Sequence, residues 1–103
     1  MLAKEVLEEK TLISKDKLKF MASLFDTLTK LKTNENIDDV YIYCGMDKLE
    51  LYIFNFQEDY DTENFVTETL SKWEIKESYF PEVYINTSDE KMNILPRKSI
   101  KVC

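Results

Sequence analysis

Two alternating runs flank the only glycine in the chain. Asp39 to Gly45 reads Asp-Val-Tyr-Ile-Tyr-Cys-Gly, and Lys48 to Phe56 reads Lys-Leu-Glu-Leu-Tyr-Ile-Phe-Asn-Phe. Both are rich in β-branched and aromatic residues and alternate with the period of a strand. Gly45 lies where a hairpin between them would turn. With Met46-Asp47 at the tip, the register follows. Val40 faces Ile53, Ile42 faces Leu51, and Cys44 faces Leu49, which makes one aliphatic face. Tyr41 faces Tyr52 and Tyr43 faces Glu50 on the other, with Phe54 and Phe56 further along.

An aliphatic sheet face has to be covered. The segment Lys15 to Lys32 contains no Gly or Pro and places Leu18, Met21, Phe25 and Leu28 at helical spacing, widened by Leu24 and Leu31. Ser14 is a candidate N-cap for it. Upstream, Leu2, Val6 and Leu7 stand among charges, as a short helix or arm. After an acidic loop at Gln57–Asp61, either Asp61 or Thr62 can cap a second helix. It presents Val66, Leu70 and Trp73 on one side and Glu63 at its N-terminal dipole. Residues 73–78 fit a strand or a continued helix equally well. Pro81 ends whatever precedes it. Glu82–Asn86 reads as a strand, Thr87–Glu90 as a turn and Lys98–Val102 as an edge strand guarded by lysines. The expectation is one small α+β domain over residues 1–103. A long amphipathic helix would pack on an antiparallel sheet made of hairpin 39–56 and the C-terminal strands, with a second helix near 62–72.

Charge is unevenly spread. The 103 residues carry a net −6. Residues 34–90 hold three lysines against fifteen acids, while residues 1–33 are +2 and residues 91–103 are +4. Such asymmetry argues about partners rather than fold. Direct nucleic-acid binding is disfavoured, because neutralising phosphates needs clustered Lys and Arg. Base stacking on the tyrosine face meets the same objection, since Asp38, Asp39, Glu50, Glu58 and Asp59 surround it.

Chemistry is sparsely provided. The chain has no histidine, which removes the commonest general base and most zinc sites. One glycine excludes a Gly-rich phosphate loop. Cys44 reads as a small core residue and Cys103 as a tail thiol. Asp59-Tyr60-Asp61-Thr62-Glu63 begins like a calcium loop, but the sixth position is Asn64 and the twelfth is Leu70. Glu74-Ile75-Lys76 has the Glu-x-Lys form of a metal-dependent nuclease strand, without a basic groove to hold DNA. No catalytic residue, cofactor or metal is therefore expected. No apolar run approaches the roughly 18 residues of a spanning helix, so no membrane partner is expected, and the cytoplasm is the expected compartment.

Binding another protein remains. Glu58, Asp59, Asp61, Glu63 and Glu68 could imitate the charge of a nucleic acid in the groove of a basic, nucleic-acid-handling protein. Phage and plasmid inhibitors of restriction and CRISPR effectors are small and acidic in this way, and the chain resembles them in composition only. The alternative is an assembly, immunity or antitoxin-like subunit, a homodimer among its forms. It would use Tyr41, Tyr43, Tyr52 and Phe54 as an aromatic interface.

Overall fold

The hairpin forms as the alternation requires. In the computed structural model, which describes residues 2–102 and the side chains of 17–102, β1 (Ile37–Cys44) and β2 (Leu49–Asn55) pair antiparallel. Val40↔Ile53, Tyr41↔Tyr52, Ile42↔Leu51, Tyr43↔Glu50 and Cys44↔Leu49 are all in register. The Gly45 N–H donates to the Lys48 carbonyl at 3.1 Å. A β-carbon on Gly45 would lie 2.8 Å from that carbonyl oxygen and 2.9 Å from Glu50 Oε2. The turn is therefore reserved for glycine by close approach. A register shift between Ile37 and Asp39 turns Ile37 onto the same side as Val40.

The remaining elements are α1 (Leu2–Leu31), α2 (Tyr60–Glu77), β3 (Glu82–Thr87), a 3-10 turn at Ser88–Glu90, α3 (Lys91–Ile94) and β4 (Ile100–Val102). The sheet order is β3-β2-β1-β4. The α+β class holds, and the sheet is mixed rather than antiparallel throughout. Chain reversal through α2 brings β3 back parallel to β2, with Leu51↔Val83 and Ile53↔Ile85 in register. β4 closes the other edge antiparallel to β1.

Helices α1 and α2 cover the aliphatic face. Leu24, Leu28 and Leu31 from α1 meet Val66, Leu70 and Trp73 from α2 over Val40, Ile42, Leu51, Ile53 and Val102. At about 25 cal/mol per Å² of apolar area, such burial dominates folding. The stripe is rotated from the expected one. Leu18 is 66% exposed and Phe25 is exposed, whereas Phe20 packs inward against Trp73 and Tyr79 with ring centroids 5.3 and 5.4 Å away. Ser23 links the helices: its hydroxyl donates to Glu77 Oε1 and accepts from Trp73 Nε1, both at 3.0 Å.

Three local expectations are corrected. Ser14 lies inside α1 rather than capping it, because the backbone is helical from Leu2 onward. The cap of α2 is Asp59, two residues earlier than Asp61: its carboxylate accepts from the Thr62 N–H at 3.2 Å. Cys44, the last residue of β1, is exposed rather than part of the core. Residues 73–77 continue α2, with Trp73 buried and Ile75 exposed. Cys103 and the side chains of Leu2, Val6 and Leu7 lie outside the described residues.

Candidate binding site at the carboxyl end of the sheet

β2 and β3 run parallel and end together at Asn55 and Thr87, and α2 starts between them in sequence. The crevice outside the carboxyl ends of parallel strands is where α/β units commonly bind ligands. Here it is framed by the loop from Phe56 to Asp59 and the first turn of α2.

That loop is held from below by one side chain. Asn36 accepts from the Gln57 N–H at 3.0 Å and donates to the Gln57 carbonyl at 2.8 Å and to Thr62 Oγ1 at 3.0 Å. Its own carbonyl accepts from the Phe56 N–H at 2.8 Å. Asp59 adds a second tie through Thr62 Oγ1 at 2.7 Å. The loop is thus preorganised, which lowers the entropic cost of binding. It presents two unburied aromatics, Phe56 at 60% and Tyr60 at 74% exposure, beside the carboxylates of Glu58, Asp59 and Asp61.

Glu58 and Glu63 also line a pocket of about 160 Å³ with Asn55, Ile85, Asn86 and Thr87. Asn55 is 2% exposed, and its Oδ1 has no hydrogen-bond partner among the described residues. A buried polar atom left in that condition costs roughly 1–3 kcal/mol. Glu68 lies further along α2, exposed and two turns beyond Asp61 on the same side of the helix. Glu58, Asp59, Asp61 and Glu63 therefore gather at the loop and first turn of α2, but they do not share one flank. Asp61 and Glu68 lie on one side of the helix, and Glu63, two residues from Asp61, faces away from them toward the pocket.

The aromatic residues named with them are elsewhere. Tyr41, Tyr43, Tyr52 and Phe54 point to the opposite face of the sheet. There the C-terminal segment already covers part of them. Lys91 Nζ sits 5.4 Å from the Phe54 ring centroid and 5.8 Å from that of Tyr41. Tyr84 stacks on Tyr52 at 5.0 Å. Phe54 is fully buried and Tyr52 nearly so. The Tyr52 hydroxyl donates to Glu50 Oε1 at 2.5 Å; burial, then this bond and the Glu50 charge, push its pKa well above the usual phenol range. The two candidate surfaces are separate: the acidic one is open, whereas the aromatic one is partly covered, with Phe54 and Tyr52 buried, Tyr41 and Tyr43 half-buried and Tyr84 exposed.

The ion pairs sharpen this contrast. Among the described residues, all four join Asp38 or Asp39 to Lys32, Lys91 or Lys101. None engages Glu58, Asp59, Asp61, Glu63 or Glu68. Asp59 to Glu63, read as a partial calcium loop, form the cap and first turn of α2, and no group of three acidic, Cys or His side chains among the described residues could hold a metal. Glu74 and Lys76 lie on α2, where residues two apart face away from each other, so the strand geometry of the Glu-x-Lys reading is absent.

Sequence reasoning missed Asn36, Asn55 and Tyr60. Asn36 and Tyr60 lie at a loop and a helix start outside any periodic pattern, and Asn55 is the polar last residue of the alternating run that forms β2. The run of Phe56, Tyr60 and acids was the available signal. In comparisons with known proteins, no family model, no curated protein and no solved structure matched the chain. No described helix is long and apolar enough to cross a membrane.

Proposed function

We propose that the protein acts by binding rather than by turnover, as a small acidic inhibitor that occupies a cationic groove of a nucleic-acid-handling protein. The observation that carries this reading is the pinned loop at the carboxyl end of the sheet. It combines exposed Phe56 and Tyr60 with carboxylates that have no cation beside them among the described residues. Aromatic anchors supply binding energy at interface centres, and surrounding charge supplies register and on-rate. Carboxylates pair with the same Arg and Lys that hold phosphates. The reading based on an aromatic sheet interface is weaker, because Tyr52 and Phe54 are spent on internal packing.

The test is affinity capture from the source cells at low and raised salt, with wild-type, Tyr60→Ala and Asp61→Lys proteins as bait. The expected result is a basic protein that wild-type bait retains at low salt, that nucleic acid displaces, and that both variants lose. Capture that is unaffected by salt and by both substitutions would overturn the proposal.

A further inference from the structure

The pocket beneath the loop has a narrower specificity than the acidic surface around it. We infer that it receives a single guanidinium group, the side chain of an arginine on the partner; this rests on the inhibitor reading above and specifies its contact. Two observations converge. Glu58 and Glu63 bring two carboxylates to a pocket of about 160 Å³. Independently, Asn55 lines the same pocket, is 2% exposed, and leaves Oδ1 without a donor among the described residues. Negative charge and an unmet buried acceptor ask for the same thing: a cationic group with several N–H donors.

Chemistry selects among cations. A guanidinium offers five donors in a flat fork, pairs bidentately with carboxylates and is weakly hydrated, so it enters a half-enclosed site at lower desolvation cost than an ammonium. The volume is several times the roughly 30 Å³ share of one water, which leaves room for the planar group. Calcium would require six to eight oxygens, and two carboxylates with one amide oxygen fall short of that set. An anion is rejected outright by Glu58 and Glu63. The partial positive charge at the start of α2 opposes a cation, but it is already answered by Asp59 at the cap and Asp61 in the first turn.

The experiment is a two-dimensional amide NMR titration of the full chain. The probes are N-acetyl-arginine amide, N-acetyl-lysine amide and calcium chloride. Expected is a saturable shift for the arginine probe confined to Asn55, Glu58, Glu63, Asn86, Thr87 and the Asn55 side-chain amide. The lysine probe should bind at least several-fold more weakly. Glu58→Gln with Glu63→Gln, both outside the core, should reduce arginine affinity about tenfold. Asn55→Ser serves as a second variant that removes the orphan acceptor without added bulk. No local shift, equal response to lysine, or response to calcium alone would each overturn the inference. The same double variant used as bait separates the two readings. A basic partner still captured through Tyr60 and Asp61 would leave the inhibitor reading standing while the pocket fails.

Discussion

Asn36 shows how much one polar side chain can organise. It makes three side-chain hydrogen bonds, two to the backbone of Gln57 and one to Thr62 Oγ1. Together they replace the ladder that the chain leaves at Asn55. Each such bond contributes a net of roughly 0.5–1.5 kcal/mol, with the lower end applying where solvent reaches the pair. Asn36→Ala is therefore expected to lower unfolding free energy by about 2 kcal/mol, read as an earlier urea midpoint with an unchanged slope. Hydrogen exchange should rise first at Gln57 and Phe56. Asn36→Asp keeps the acceptor for the Gln57 N–H and loses both donors, so it should fall between wild type and alanine. An alanine variant as stable as wild type, with a protected Gln57 amide, would show that the loop is held by other means.

At the scale of elements, the C-terminal end of α2 carries a built-in strain. The Ser78 N–H donates to the Ile75 carbonyl and the Tyr79 N–H to the Glu74 carbonyl at 3.2 Å, the paired bonds of a Schellman ending. The accompanying contact is Tyr79 against Trp73, edge to face at 6.3 Å. This ending needs a left-handed residue, and Ser78 supplies it at φ 52° and ψ 40°. Glycine would adopt that conformation without a β-carbon penalty. Ser78→Gly is expected to raise stability by about 0.5–1 kcal/mol despite the added chain entropy of glycine when unfolded, and thermal unfolding should report it; a lower melting temperature would contradict the strain assignment. The hairpin register was legible because strict alternation meets a single glycine that only one turn position accommodates. The end of α2 was not legible, because Trp73 and Ile75 two apart suit a strand as well as a helix, and only tertiary packing buries the first and exposes the second. The parallel setting of β3 was hidden for a similar reason: six residues of alternation carry no direction. The acidic part of the site was visible as a charge block, whereas Asn36 and Asn55 acquire their roles only through contacts distant in sequence.

At the scale of the whole molecule, the two sheet faces are closed by different forces. Helices close one through apolar contact, while charge holds the C-terminal segment over the other. Lys91 bridges Asp39 and, at 3.5 Å, Asp38, and it lies over the Phe54 and Tyr41 rings. Lys101 on β4 reaches Asp39 at 3.2 Å. Burial alone would push the Asp39 carboxyl upward, but hydrogen bonds and charge from Lys91 and Lys101 override it and hold it below the usual carboxylate range. Burial opposes the charged form of Lys91, and Asp39 overrides that too, raising its pKa. A depressed carboxyl means the folded state binds fewer protons than the unfolded chain. The stabilisation is thus complete above the unfolded carboxyl value of about 3.9 and is lost as pH falls through the folded value. For Lys91 the sense reverses: its share is complete below about 10.4 and is lost as pH rises through the folded value. Between those limits the segment should stay closed. Acidification below about pH 4 should release residues 88–94 before the helices part from the sheet. Fluorescence and hydrogen exchange would then report Tyr41 and Phe54 uncovered while Leu24 and Leu51 remain protected. Asp39→Asn should cost about 1–3 kcal/mol at neutral pH, less than a fully buried pair because Lys91 and Lys101 keep partial access to water. It should also flatten the acid limb of the stability profile, since the group that titrates there is gone. If the variant and wild type lose stability in parallel below pH 4, Asp39 does not govern closure of that face.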